Sequence, residues 1–199
     1  MSTRKLLATV IAGLSAAAVS GCSSDVPGIP IASPASSAGL PQHGAPAVSN
    51  PLTTASVVAD PCSAVTTDQV TKLGGPVRSH RVNTFTAATT CTWVFDDNAG
   101  TVAAGMDTLD KDGLSHLYAL KAQNSGVTTF EPQNPILGYP AVVFANGGEG
   151  PGSCQLAVGL NNNDIYMVFS DILYNPKTSD SCGLATEIAK AAIQHLKAA

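Results

Sequence analysis

Apolar and polar positions alternate most regularly in the last third of the chain. Cys154, Leu156, Val158 and Leu160 fall on one face at strand period, and Ile165, Met167 and Phe169 fall on one face of the next run. Asn161-Asn162-Asn163-Asp164 between them is turn chemistry, so the pattern predicts strands over 154–160 and 164–170, preceded by a further strand over 141–145. After them the period changes from two to 3.6. Ala185, Ile188, Ala189, Ala192, Ile193 and Leu196 form a stripe at i, i+3, i+4 spacing, with Glu187, Lys190, Gln194 and Lys197 turned away. Asp180 or Ser181 supplies the cap of this terminal helix.

The preceding part of the chain carries shorter signals. Thr66 and Gln69 are spaced as a capping box and Gly74-Gly75 supplies a stop, which predicts a helix over 67–73. Residues 76–88 show no clear period. Cys91, Trp93 and Phe95 then share a face over 89–95, residues 96–100 read as a turn, and 101–106 return as a second strand. Asp112 is placed to cap a helix through about 123, with Leu114, Leu117 and Tyr118 on one side, and Pro132 and Pro135 then break the chain. The order is helix, two strands, helix, three strands, helix. It predicts an α+β domain in which an antiparallel sheet of about five strands is covered by helices. Strands and helices do not alternate as a doubly wound nucleotide-binding fold requires.

The N-terminus is of another kind. Arg4 and Lys5 precede a mostly apolar run, Leu6 to Val19, too short for a stable span and followed by small residues. Val19-Ser20-Gly21-Cys22 resembles the lipobox of bacterial lipoproteins, in which the cysteine thiol receives a diacylglyceryl group and the chain is cut just before it. The resemblance implies a signal peptide over 1–21 and Cys22 as the lipidated mature N-terminus. Two or more acyl chains give stable anchoring, at roughly 0.8 kcal/mol for each buried methylene. Between Ser23 and Val57 there are six prolines, three glycines and a single charge, Asp25, a composition that predicts a disordered tether over 22–57. Its length would hold a folded domain, 58–199, about 30 Å from the membrane as a coil and up to about 110 Å if extended.

Charge then excludes partners. Without Arg4 and Lys5, eight basic residues remain against fourteen acidic ones, a net charge of −6. That composition argues against nucleic acid and against a polybasic grip on anionic lipid. The Arg78-Ser79-His80-Arg81 cluster reads as a solvated loop or edge strand. With Cys22 assigned to lipid, Cys62, Cys91, Cys154 and Cys182 remain, an even number in an exported chain and therefore two disulfides. Cys62 and Cys182 lie at helix starts and Cys91 and Cys154 on strands, which favours pairing a helix start with a strand. Of the two such arrangements, the nearer partners are Cys62 with Cys91 and Cys154 with Cys182. Each loop of about 30 residues would contribute roughly 3 to 4 kcal/mol. No Cys-x-x-Cys pair and no histidine beside a cysteine points to zinc, so no metal is expected.

Motifs for catalysis are weak. Gly113-Leu114-Ser115-His116-Leu117 starts like a nucleophile elbow but lacks the second glycine and the preceding strand. His43, His80, His116 and His195 are scattered, the Asp96-Asp97 pair suits a turn, and Asp107, Asp110 and Asp112 precede a helix N-terminus. No catalytic residue and no cofactor is expected, and the chain is read as a non-enzyme. The loop Gly147-Gly148-Glu149-Gly150-Pro151-Gly152-Ser153 lacks the lysine and helix of a phosphate cradle. It is a mobile connection and a candidate contact surface.

Asp60-Pro61-Cys62 before a first helix, Cys91-Thr92-Trp93 on a strand, Gly138-Tyr139-Pro140-Ala141 leading a strand, and Cys154 and Cys182 with an alanine-rich terminal helix form an ordered set. Together they resemble an uncharacterised family of actinobacterial lipoproteins of the mycobacterial type, a domain of unknown function. The resemblance implies a cell-envelope location, two disulfides and no assigned activity. The chain is also somewhat similar to the extracytoplasmic sensor domains of some mycobacterial serine/threonine kinases, although it carries no kinase. The expectation is a lipid-anchored, non-catalytic binding module on the extracytoplasmic face of the cell membrane, recognising a small molecule, a wall polymer or an envelope protein. The alternatives are an assembly accessory of an envelope complex and an envelope hydrolase using His80 or His116. A binding module would show a concave site on the sheet face opposite the terminal helix.

Overall fold

The computed structural model describes residues 39–172, 174, 175, 177 and 179–199. Residues 1–21, the expected signal peptide, and Cys22 lie outside the described residues, as does the first part of the expected tether.

Among the described residues, seven strands form one sheet in the order β1-β2-β3-β7-β6-β5-β4, with every neighbouring pair antiparallel. The strands are β1 Val77–Thr84, β2 Ala88–Phe95, β3 Thr101–Asp107, β4 Thr129–Ile136, β5 Tyr139–Ala145, β6 Ser153–Gly159 and β7 Ile165–Asp171. The helices are α1 Ala55–Ala59, α2 Thr67–Gly74, α3 Leu114–Ala122 and α4 Ser181–Ala198. The five expected strands are therefore corrected to seven, and both additions are edges. β1 occupies the stretch without a period, because its residues are largely exposed and no single face is apolar. β4 contains Pro132 and Pro135 and still pairs with β5, since an edge strand needs its donors on one side only.

α4 lies across β6 and β7. The Asp180 carboxylate caps it by accepting from the Gly183 N–H at 2.8 Å, and the stripe from Ala185 to Leu196 is buried. Beneath it sit Trp93 and Phe95 of β2, Val102, Ala104 and Met106 of β3, Leu156 and Val158 of β6, and Tyr166 and Val168 of β7. α2 covers the β1–β2 end of the same face, with the Thr66–Gln69 capping box formed. Cys62–Cys91 ties the turn before α2 to β2, and Cys154–Cys182 ties the first turn of α4 to β6, with Cα–Cα separations of 4.8 and 5.2 Å.

The opposite face is covered at one end only. α3 and the chain around Ala45 enclose a second cluster there, with Leu114, Leu117, Val142, Phe144, Ala157, Ile165 and Met167. Met167 and Ile165 thus belong to the face away from α4, whereas Tyr166 and Val168 belong to the α4 face. Both faces of β7 carry apolar residues, one packed under α4 and the other packed at its Ile165–Met167 end. Asp112 does not cap α3 with its side chain. Gly113 holds that position at φ 56°, where the Asn162 carbonyl oxygen would stand 2.5 Å from any Cβ.

Residues 39–57 correct the tether boundary. Leu52 N–H donates to the Leu160 carbonyl at 2.9 Å and Val48 N–H to Asn162 Oδ1 at 3.0 Å. Thr54 Oγ1 donates to Asp164 Oδ2 at 3.1 Å, and the Tyr139 hydroxyl to the Asn50 carbonyl at 2.9 Å. The physical reason is that Ala45, Val48, Leu52 and Val57 find apolar neighbours, while the side chains of the 161–164 turn satisfy the backbone between them. Composition alone registered the prolines and missed these contacts.

Candidate ligand-binding cleft

The uncovered part of the second face is the floor of a cleft. Its residues alternate with those under α4, and cross-strand register places them in rows. Thr92 of β2 pairs with Ala103 of β3, Ala103 with Phe169 of β7, and Phe169 with Gln155 of β6. One step along, Thr101 pairs with Asp171 and Asp171 with Ser153. Partners in register point to the same face, so these side chains form one surface.

Two hollows share this floor, meeting at Ala103 and Phe169. The larger is about 400 Å³ and is bordered by Thr101, Ser153, Gln155 and Asp171, with Glu149 in its wall. The second, about 270 Å³, is lined by Phe85, Ala87, Ala88 and Met167 together with the two shared residues. Apolar side chains line it because the β1–β2 hairpin brings Phe85 and Ala87 beside the β7 floor. Volumes of a few hundred Å³ are those of small-molecule sites.

The wall is the glycine-rich loop, and Glu149 organises it. The Glu149 carboxylate accepts from Asn146 N–H at 2.6 Å, Gly147 N–H at 2.8 Å and Gln155 Nε2 at 2.8 Å. The Asn146 N–H, ahead of those from Gly147 and Gly148, holds the carboxyl below the usual carboxylate range. At the other end of the loop the Gly152 carbonyl accepts from Ile172 N–H at 3.0 Å and from Ser181 Oγ. Ser181 begins α4 and the next residue, Cys182, is bonded to Cys154, so the second disulfide braces the foot of the loop. The loop expected to be a mobile connection is tied at both ends.

The other sequence candidates stand apart from the cleft. Ser115 is buried and its Oγ accepts from the Gln42 N–H at 2.9 Å, while His116 Nε2 faces Asp110 Oδ2 at 3.3 Å. His80 lies on β1 with Nδ1 3.3 Å from Thr67 Oγ1. Arg78 and Arg81 are on the same edge strand. Asp107 folds the turn after β3, its Oδ1 accepting from the N–H groups of Leu109 and Asp110. Asp96 and Asp97 form a 3-10 turn before β3. Among the described residues, no three His, Cys, Asp or Glu side chains are grouped to hold a metal ion. No described helix is long and apolar enough to cross a membrane.

Glu149 and its loop are legible in the sequence as a candidate contact surface, whereas Phe85, Ala103, Gln155 and Asp171 are not. Alternation told which residues share a face; it carried no signal for which half of that face α3 leaves open. The protein is thus a disulfide-braced antiparallel sheet, packed on one side and hollowed on the other. Its chain belongs to the family described as Protein of unknown function (DUF3558), whose profile matches residues 17–195. Comparisons with curated proteins and with solved structures find no match.

Proposed function

We propose that the chain is a lipid-anchored, non-catalytic module on the extracytoplasmic face of the cell membrane that binds a small ligand in the cleft opposite α4. The cleft carries this reading: a packed floor, a wall fixed by Glu149 and a volume suited to a ligand. The anchor rests on Arg4, Lys5 and the run to Cys22, and the family match begins at residue 17, ahead of Cys22. A non-catalytic role is supported by where the nucleophile and base candidates stand, with Ser115 holding the 39–57 segment and His116 turned to Asp110. The actinobacterial envelope, with its wall polymers and proteins, is the setting the resemblance implies.

A variant that fills the cleft tests the proposal. Ala103 borders both hollows and faces open space, so Ala103→Trp should occupy the site while leaving thermal unfolding within a few degrees of the wild type. Protein purified from intact envelopes is expected to carry a recurrent small molecule, detectable by mass spectrometry of extracts, that Ala103→Trp lacks. A protein partner recovered equally with both variants, and no small molecule, would favour the assembly-accessory reading. β4 carries two prolines on its outer edge, but the other edge, β1, has none and exposes Val82.

A further inference from the structure

We infer that the cleft selects an amphipathic ligand with an apolar body and a cationic amine head, the body lying on Ala88, Ala103, Met167 and Phe169 and the head meeting Glu149 and Asp171. The inference rests on the cleft-binding reading above and adds the chemical class of the ligand.

The two ends of the cleft differ in kind. At the hairpin end all the lining residues are apolar, and Phe85, 55 % exposed, extends that surface to the mouth. A large apolar side chain left in solvent beside an apolar hollow is what an apolar ligand would cover. Four residues along β7 the lining changes to Asp171, with Ser153, Gln155 and Thr101 around it and Glu149 above. That is roughly 13 Å of strand, enough for an elongated body with its head at one end.

Charge sets the head. Among the described residues, both ionisable side chains lining the cleft are acidic, and no lysine, arginine or histidine lines either hollow. The nearest cation by register is Arg81, which pairs with Thr92 and lies two strands, about 10 Å, from Ala103. Its Nε already donates to Asn83 Oδ1 at 3.1 Å. Glu149 is kept ionised by the same backbone donors that shape the wall, so its charge does not wait on the ligand. Asp171 Oδ1 has one weak partner, Ser153 Oγ at 3.4 Å, which an ammonium donor can displace. An anionic head would meet two carboxylates of its own sign, a repulsion that solvent weakens because Asp171 is exposed but does not reverse.

The methionines permit a site-resolved test. Met167 lies in the cleft floor and Met106 lies under α4 on the other face. The full-length protein, labelled with 13C at the methionine methyls and held in phospholipid nanodiscs, is titrated with 4-phenylbutylamine, 4-phenylbutanol and 4-phenylbutyrate, with empty nanodiscs as blank. The amine is expected to move the Met167 signal saturably, leave Met106 in place, and bind at least tenfold more tightly than the carboxylate. Asp171→Asn, which leaves the Glu149 wall intact, should reduce that ratio to about threefold or less. Equal binding of all three probes at Met167 would overturn the charge selection while leaving the cleft as a ligand site. Failure of every probe to move Met167 would overturn both.

Discussion

Asp164 shows how one side chain can serve two parts of the chain. Burial alone would raise its pKa, but hydrogen bonds from Asn161, Lys111 and Thr54 outweigh that and hold the carboxyl below its usual range. A depressed carboxylate adds stability that is fully present above its unfolded pKa, roughly 4, and is lost as the pH falls through the folded value. Urea midpoints of the wild type should therefore fall between pH 5 and 3 more steeply than those of Asp164→Asn. Parallel curves would show that Asp164 is not a coupling point. The Asn161-Asn162-Asn163 side chains act likewise: Asn162 accepts from Val48, and Asn163 Nδ2 donates to the Lys111 carbonyl at 3.0 Å. The sequence marked this tetrapeptide as a turn. That it also receives residues 39–57 depends on contacts more than a hundred positions apart, which no local pattern carries.

At the scale of elements, strong local chemistry was legible and the edges were not. The Thr66–Gln69 box, the Asp180 cap and the central strands follow from short-range spacing, and the structure has them where spacing puts them. β1 and β4 escape because edge strands are covered less and tolerate proline, so period and composition both mislead. Cys154–Cys182 is the element that joins fold to site. Replacing both cysteines by alanine should cost about 3 kcal/mol in denaturant titrations, in the chain-entropy model. It should also raise amide exchange across 146–153, because the foot of the loop hangs from Ser181 and the bridge beside it. Unchanged exchange in that loop would show that the Glu149 hydrogen bonds hold the wall without the disulfide.

In the proposed arrangement the N-terminal segment is an anchor, and the described residues carry a core of their own. Cys22→Ala should move the protein from the membrane fraction to the soluble fraction while leaving its unfolding transition unchanged. Retention in membranes after that substitution would contradict the anchor. Residues 39–57 belong to the folded unit, so fewer residues separate Cys22 from packed structure than composition suggests. The sheet itself could be anticipated from alternating positions, but the open half of one face could not. It exists because α3 is a short helix that covers the Val142, Ala157 and Ile165 end and stops there.

The open half of this face is the proposed binding site, and the Met167 methyl reports on it directly. Titrating 13C-methyl-methionine protein with the small-molecule extract of whole envelopes should shift Met167 saturably while Met106, on the packed face, stays in place. A Met167 signal that does not move at any extract concentration would contradict the claim.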